Sequence, residues 1–216
     1  MKYPALAATI VAVSLAALAS TAGATTIING SFEQGPNGSG FVELGGGSTA
    51  IPGWTVAGNS IDYITTYWQA ADGSRSLDLS GSDSGSVFQT LATTAGQKYT
   101  VTFDMAGNPD GAPVTKELSV DAGAGTAQDY AFDTTGATHN AMGWTPETYT
   151  FTASGASTVL TFTDLNNGSP YGAALDNVAI SVPEPATWAM MLLGVGLIGG
   201  GLRMARRKDS VALIQA

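Results

Sequence analysis

Several tyrosine and tryptophan side chains of segment 25–182 could bind the apolar faces of sugar rings. Sugar rings stack on aromatic faces, while Asn, Asp and Gln side chains hydrogen-bond the hydroxyl groups. The dipeptide Tyr67-Trp68 lies in a polar segment between strand candidates, so we expect at least one of its rings to be exposed. The alternative for Trp68 is a buried plug. The predicted ligand-binding residues are Tyr63, Tyr67, Trp68 and Tyr171, whereas Trp54 and Trp144 are predicted to belong to the core.

The remaining reactive residues argue against an enzyme. The chain has one histidine, His139, and no cysteine, which excludes histidine-rich zinc sites and disulfides. A Ser-His-Asp triad would have to use His139, which lies in a Gly/Thr/Asn-rich loop. A carboxylate pair, as in glycoside hydrolysis, is the enzymatic option that survives, but so many acids make some close pair almost inevitable. We therefore predict a protein that is not an enzyme.

The segment 25–182 is strongly acidic. Of the 17 acidic residues in the chain, only Glu184 and Asp209 lie outside this range, and its only basic residues are Arg75, Lys98 and Lys116. Fifteen negative charges against three positive ones give a net charge of −12. Such a surface repels nucleic acids and anionic lipids. It leaves carboxylates free for hard cations such as calcium, although most of them are expected to be solvated.

The elements that must position these residues are strands. Lys98 to Ala106 alternates strictly, with Tyr99, Val101, Phe103 and Met105 on one face. Shorter alternating or strand-like runs separated by Gly, Asn, Asp and Ser clusters occur at 76–79, 87–91, 118–120, 148–153, 158–164 and 175–182. Many short strands separated by turns predict an all-β fold, a jelly-roll β-sandwich spanning residues 25–182.

The C-terminus has three parts in a fixed order. Pro183-Glu184-Pro185 precedes an apolar run over 186–202, whose length as a helix is roughly 25 Å and therefore just enough to span a membrane. A basic stop-transfer cluster follows, made of Arg203, Arg206, Arg207 and Lys208. Segment 183–208 resembles the PEP-CTERM sorting signal, which implies processing by an exosortase at the inner membrane. The positive-inside rule leaves 209–216 as a cytoplasmic tail. The alternative is an ordinary anchor without processing.

The N-terminus predicts export. Lys2 precedes an apolar stretch over 5–19 and the small residues Ala22-Gly23-Ala24, so residues 1–24 read as a signal peptide cleaved after Ala24. The Sec machinery is then the export partner. A retained anchor helix is the alternative. The domain is thus expected first at the inner membrane, outside the cytoplasm, and later at the cell surface or in the matrix.

Ordered landmarks give a second resemblance. The set consists of Asn29-Gly30-Ser31-Phe32-Glu33, Ile51-Pro52-Gly53-Trp54-Thr55-Val56, Asp72-Gly73-Ser74-Arg75-Ser76-Leu77-Asp78-Leu79, Gln89-Thr90-Leu91, Phe103-Asp104-Met105-Ala106-Gly107-Asn108-Pro109, Met142-Gly143-Trp144 and Leu175-Asp176-Asn177-Val178. It is similar to the choice-of-anchor C family, a relative of plant cell-wall domains. The resemblance implies a galactose-binding-like jelly roll and a polysaccharide ligand, with no settled activity.

The same resemblance implies a structural calcium ion between the first and last strands. On it, Glu33 and Asp176 are the candidate ligands and Asp78 is a weaker third. The alternative is that Glu33 and Asp176 only bind backbone N–H groups. The sequence therefore predicts an exported surface or biofilm-matrix protein that binds polysaccharide without catalysis. A structural or adhesive component without a sugar site is the alternative, and a glycoside hydrolase is a third.

Overall fold

The computed structural model describes residues 25–123, 125, 127–183 and 194–196. The described residues up to Pro183 form an all-β sandwich of two antiparallel sheets, which confirms the predicted fold class at that level. Its strands are β1 Phe41–Gly45, β2 Thr55–Gly58, β3 Ser60–Ile64, β4 Ser76–Asp78, β5 Gly85–Ala92, β6 Lys98–Gly107, β7 Thr115–Asp121, β8 Gln128–Asp133, β9 Thr145–Thr152, β10 Ser157–Asp164 and β11 Ala173–Ser181.

The two sheets interleave along the chain. One sheet has six strands in the order β1-β3-β4-β11-β6-β9, and the other has five in the order β2-β5-β10-β7-β8. The central pairs join distant parts of the sequence: β11 lies between β4 and β6, and β10 lies between β5 and β7. Long-range pairing of this kind places loops from both halves of the chain beside one another.

Alternation sends one face of each sheet into a shared core. In β6 the side chains of Tyr99, Val101, Phe103 and Met105 are buried, as the sequence pattern predicts. Trp54 is also buried, and its ring lies 6.2 Å from that of Phe162 on β10. Burying each such side chain stabilises the fold by about 2–3 kcal/mol.

A second, smaller hydrophobic cluster covers the other face of the six-stranded sheet. It contains Ile64, Trp68, Ala106, Met142 and Ala174. We call this face, which points away from the five-stranded sheet, the outer face. The backbone N–H of Gln69 donates to the carbonyl of His139 at 2.8 Å, which joins the two loops that cover it. These two loops therefore shield part of the outer face from solvent.

Several sequence predictions fall outside the described residues. These are the signal peptide 1–24, the sorting residues Glu184 and Pro185, the basic cluster Arg203, Arg206, Arg207 and Lys208, and the tail 209–216. Pro183 is described and exposed, and residues 194–196, inside the predicted span 186–202, are helical. Among the described residues, no helix has both the length and the apolar character needed to cross a membrane.

Candidate functional site

A cavity of about 270 Å³ opens on the outer face, where β1, β3 and β4 meet the loops after β3, β6 and β10. Aromatic and acidic side chains dominate its wall. The lining consists of Phe41, Glu43, Asp62, Ile64, Tyr67, Trp68, Asp78, Gly81, Ser82, Asn108, Asp110, Pro170 and Tyr171.

Three of these carboxylates form a row across neighbouring strands. Glu43 on β1 is paired with Asp62 on β3, and Asp62 is in turn paired with Asp78 on β4. Side chains paired in this way have Cβ atoms about 4.5–5.5 Å apart, and like charges placed opposite each other destabilise a sheet. A row of three acids is therefore an arrangement that packing and stability alone do not favour.

The row divides into a well-solvated end and a desolvated middle. Glu43 is exposed, and hydrogen bonds from Ser82 and Ser60 hold its pKa below the ordinary value. Burial, with the negative charge of Glu43 nearby, raises the pKa of Asp62 to about 6. The Oδ1 atom of Asp62 is buried and has no hydrogen-bond partner, a feature that it shares among the described side chains only with Nη1 of Arg75.

Asp78 closes the row in the protein interior. Its carboxylate accepts hydrogen bonds from Asn108 Nδ2 at 2.8 Å and from the backbone N–H groups of Ser80 at 3.0 Å and Gly172 at 3.1 Å. Burial nevertheless raises its pKa well above the ordinary value, because desolvation outweighs these hydrogen bonds. Both oxygens of Asp78 are thus already occupied by donors.

A chain of hydrogen bonds leads from Asp78 to the rim of the cavity. The side-chain oxygen of Asn108 accepts the backbone N–H of Asp110 at 2.9 Å. Tyr67 donates its hydroxyl to Asp110 Oδ2 at 2.7 Å, and Nε2 of His139 lies 2.7 Å from Asp110 Oδ1. The hydrogen bond to Asp110 raises the pKa of Tyr67 to about 12. The Tyr67 ring is therefore held by its hydroxyl group, and it also packs against the His139 ring, with the ring centres 4.5 Å apart.

A buried lysine holds the loop after β10, which carries Tyr171. Lys116 on β7 is fully buried, and its Nζ donates to the carbonyl oxygens of Gly111 at 2.7 Å and Tyr171 at 2.8 Å. The same Nζ lies 5.8 Å from the centre of the Tyr171 ring. Burial lowers the pKa of Lys116, while the charges of Asp78, Asp164 and Asp110 oppose that shift.

The structure brings three of the four predicted ligand-binding residues together at the cavity. Tyr67 is partly exposed at the rim, with its ring 5.4 Å from that of Phe41, and Tyr171, also partly exposed, lines the same cavity. Trp68 also contributes to the wall, but only 6% of it is exposed and its Nε1 donates to Ser76 Oγ at 2.9 Å. Trp68 is therefore the buried plug of the two alternatives considered, and Tyr67 and Tyr171 are the available rings.

The prediction that Tyr63 binds the ligand is wrong. Its ring is fully buried in the core between the sheets, and its hydroxyl donates to the carbonyl of Phe32 at 2.6 Å. The reason is the alternation of β3: Asp62 and Ile64 face the cavity, so Tyr63 between them points to the opposite face. Tyr63 is a core residue and cannot stack on a ligand there.

The predicted calcium ligands are arranged around backbone N–H groups. Glu33 Oε1 accepts the N–H groups of Ser74 and Arg75 at 2.7 and 2.8 Å, and Asp176 Oδ2 accepts those of Ala71 and Asp72 at 2.9 and 3.0 Å. Calcium requires several oxygen ligands with free lone pairs, so carboxylates that face N–H donors do not fit it in this arrangement. Asp78 is occupied in the same way. Calcium binding stays an untested prediction.

The sequence pattern does not single out several side chains of this candidate site. Glu43 and Asp62 lie on short strands that it did not predict, and Asn108, Asp110 and Lys116 reach the site through tertiary contacts. The one available signal was Asp62 between the apolar residues Ile61 and Tyr63, a pattern typical of a strand with one polar face.

Comparison with known families assigns the chain to a family and identifies a sorting motif. Residues 25–181 match the family described as "Protein of unknown function (DUF642)", and the chain belongs to that family. Residues 181–208 match the PEP-CTERM protein-sorting motif, which confirms the predicted sorting signal and implies export and sorting to the cell surface. The solved structures that the fold resembles include carbohydrate-binding modules.

One curated relative is halomucin of Haloquadratum walsbyi, 34% identical over 180 residues. The match covers 80% of this chain but only 2% of halomucin. Among solved structures, a family 61 carbohydrate-binding module in complex with β-1,4-galactotriose has a TM-score of 0.44 at 16% identity, covering 72% of this chain and 96% of the module. A family 35 module of Cellvibrio japonicus has a TM-score of 0.46 at 15% identity, covering 67% and 94%. At these TM-scores the likeness says nothing about a ligand of this chain.

Proposed function

We propose that this protein is an exported surface or matrix component whose β-sandwich binds polysaccharide without catalysis in the outer-face cavity. The observation that carries the proposal is the buried, unpartnered Oδ1 of Asp62 in a cavity rimmed by Tyr67 and Tyr171. A buried acceptor without a partner destabilises the protein by about 1–3 kcal/mol unless a ligand supplies the missing donor. A sugar hydroxyl is such a donor, and sugar C–H faces suit tyrosine rings.

The dimensions support a short glycan segment. The cavity volume of about 270 Å³ is just below the range of roughly 300–1,000 Å³ that encloses drug-sized ligands. The site therefore suits a chain end or a short stretch of a polysaccharide rather than a long groove. Phe41, which is 46% exposed beside Tyr67, extends the apolar rim on which a neighbouring ring can lie.

Calorimetric titration of the purified protein with a panel of defined oligosaccharides tests the proposal. Tyr67→Ala and Tyr171→Ala each remove a stacking ring, so we expect about tenfold or greater loss of affinity for the bound glycan. Phe88→Ala is the matched control, because Phe88 is a partly buried aromatic residue on β5 of the other sheet. Its affinity should equal that of the unchanged protein.

The same titrations separate the alternative functions. If no glycan binds and deletion of the protein still removes biofilm or envelope material, a structural or adhesive role without a sugar site replaces our proposal. If the pure protein releases reducing sugar, and Asp62→Asn abolishes the release, the protein is a glycoside hydrolase. The opposed pKa shifts of Glu43 and Asp62 are the observation that favours this second candidate, because such pairs can supply a general acid and a base.

For localisation, we propose that the protein is exported through the Sec machinery. Its C-terminal segment then inserts transiently into the inner membrane and is processed by an exosortase. The sorting motif at 181–208 supports this route. Intact-mass spectrometry of the cell-surface form tests it. We expect the mass of a chain that ends before residue 202. A surface form that still carries the residues after Leu202 would refute exosortase processing.

A further inference from the structure

We infer that the sugar bound in the outer-face cavity carries a free amine, as in a de-N-acetylated hexosamine, with its ammonium group placed against Asp62. This inference rests on the proposed function and names its ligand class. It depends on three features of the site: the charge of the wall, the state of each carboxylate, and the aromatic rim.

The charge of the wall is unbalanced. The cavity lining contains the four carboxylates Glu43, Asp62, Asp78 and Asp110 and no basic side chain. The buried Lys116 does not line the cavity, and its Nζ donates to the backbone carbonyl oxygens of Gly111 and Tyr171. The imidazole of His139 contacts only the outermost of the four, with its Nε2 2.7 Å from Asp110 Oδ1. A polysaccharide rich in uronate or sulfate groups would be repelled here. A cationic sugar instead offsets the repulsion along the Glu43–Asp62–Asp78 row.

The state of each carboxylate locates the ammonium group. Glu43 accepts hydrogen bonds from Ser60 and Ser82, and Asp78 accepts three from Asn108, Ser80 and Gly172. Only Asp62 in the row has a buried oxygen without a donor. An ammonium group brings three donors and no acceptor, so it suits an unpaired carboxylate oxygen better than a hydroxyl group, which is both donor and acceptor.

A metal ion fits the same row poorly. Calcium needs six to eight oxygen ligands, whereas Oε1 of Glu43 and both oxygens of Asp78 already face N–H or O–H donors. Among the described residues, no group of three or more acidic or histidine side chains has an arrangement suited to a metal. An ammonium group, by contrast, requires only one or two acceptors, together with hydrophobic contact for the ring that carries it.

The aromatic rim supplies that contact. Tyr67, Trp68 and Tyr171 line the same cavity as the carboxylate row, and cations near aromatic faces gain additional attraction. A glucosamine-type ring presents its amine beside an apolar ring face, so stacking on tyrosine and pairing with Asp62 are compatible in one ligand. The combination of ring and charge distinguishes an amino sugar from a simple amine.

The experiment compares two matched sugars with the full-length protein. Chitotriose, with free amines, and its fully N-acetylated form are titrated separately at about pH 6, where sugar amines carry protons. The pKa of Asp62 without ligand is also about 6, so a bound ammonium group shifts this carboxyl group to its ionised form. A charge-assisted hydrogen bond exceeds a neutral one, so we expect chitotriose to bind about tenfold more tightly or better. Asp62→Asn should reduce this ratio to about one, because the charge is removed while the shape is kept.

Controls separate the specific site from general attraction to an acidic protein. Asp129→Asn removes the same charge from an exposed position on β8 and should leave the ratio unchanged. Thermal unfolding of each variant monitors folding, and Glu43→Gln provides a second variant in the row, in which the ratio should also fall. An equal loss of the ratio in Asp129→Asn would show nonspecific attraction and overturn the inference.

Three further results overturn it as well. If both sugars bind equally and Asp62→Asn changes neither affinity, the cavity takes a neutral sugar, and only the proposed function survives. If neither these sugars nor any other glycan binds, both the inference and the proposed function fail. If Ca²⁺ alone binds and Asp62→Asn abolishes its binding, the row is a metal site and the amine assignment is wrong.

Discussion

Lys116 controls the position of Tyr171 from inside the protein. Its Nζ joins the loop after β6, through Gly111, to the loop after β10, through Tyr171. Gly111 packs so closely on the Tyr171 ring that a Cβ atom there would lie 2.2 Å from it. The buried charge therefore serves as a tie between two loops that both line the cavity, rather than as a reactive group.

We predict that Lys116→Met destabilises the protein by about 2–4 kcal/mol, because two buried carbonyl groups lose their donor and buried carboxylates nearby lose their counter-charge. Glycan affinity should fall with it, since Tyr171 is no longer held. Urea unfolding measures the free energy of unfolding. Lys98→Met, at an exposed position on β6, is the control and should stay within about 0.5 kcal/mol of the unchanged protein. Equal effects of the two variants would contradict the role given to Lys116.

At the residue scale, Glu33 and Asp176 hold the segment 71–75 in place. Their oxygens accept backbone N–H groups of the segment 71–75, so the ordered state of this segment needs no cation. We expect the Tm of the purified protein to be the same with EDTA as with added Ca²⁺. A Tm lowered by EDTA and recovered on addition of Ca²⁺ would instead support the predicted calcium ligands.

At the scale of elements, the segment before β1 is fastened to the last strand. The N–H of Val178 on β11 donates to the carbonyl of Gly30 at 2.9 Å, and Asn29 and Phe32 on either side have positive φ angles. A Cβ atom on Gly30 would lie 1.9 Å from the Val178 carbonyl oxygen. Only glycine permits this approach of two backbones.

Gly30→Ala is therefore expected to destabilise the protein by at least about 2 kcal/mol, because backbone rather than a flexible side chain must move. Gly45→Ala on β1 is the matched control, since nothing lies within 4 Å of the added Cβ atom, and it should be neutral within about 0.5 kcal/mol. Thermal or urea unfolding of both variants gives the comparison. A neutral Gly30→Ala would show that the segment can separate from β11.

The elements also show what the sequence can and cannot predict. The alternation of β6 and β10 predicts both strands nearly to their ends, because one face of each is buried and the other is polar. β3 lacks that signal, because a loop roofs its outer face and buries Ile64 there. The carboxylate row could not be predicted at all, since it depends on the register of β1, β3 and β4.

At the scale of the whole molecule, the buried aspartates make the free energy of unfolding depend on pH. The pKa of Asp62 is raised to about 6 and that of Asp176 to about 7, in both cases chiefly by burial, and burial raises that of Asp78 as well. An aspartate in the unfolded chain has a pKa of about 3.9. Between these values the folded protein holds more protons than the unfolded chain, so stability falls as pH rises.

We therefore predict that the free energy of unfolding is larger at pH 5 than at pH 7.5, by on the order of 1–3 kcal/mol after allowance for solvent screening at partly buried carboxylates. Urea unfolding at the two pH values measures it. Asp62→Asn should stabilise the protein at pH 7.5 and reduce the difference, because one buried charge and its repulsion with Glu43 are gone. Asp129→Asn should leave the difference unchanged. Stability that rises from pH 5 to pH 7.5 would mean that the row is ionised without penalty, and that the site has no unsatisfied charge to offer a ligand.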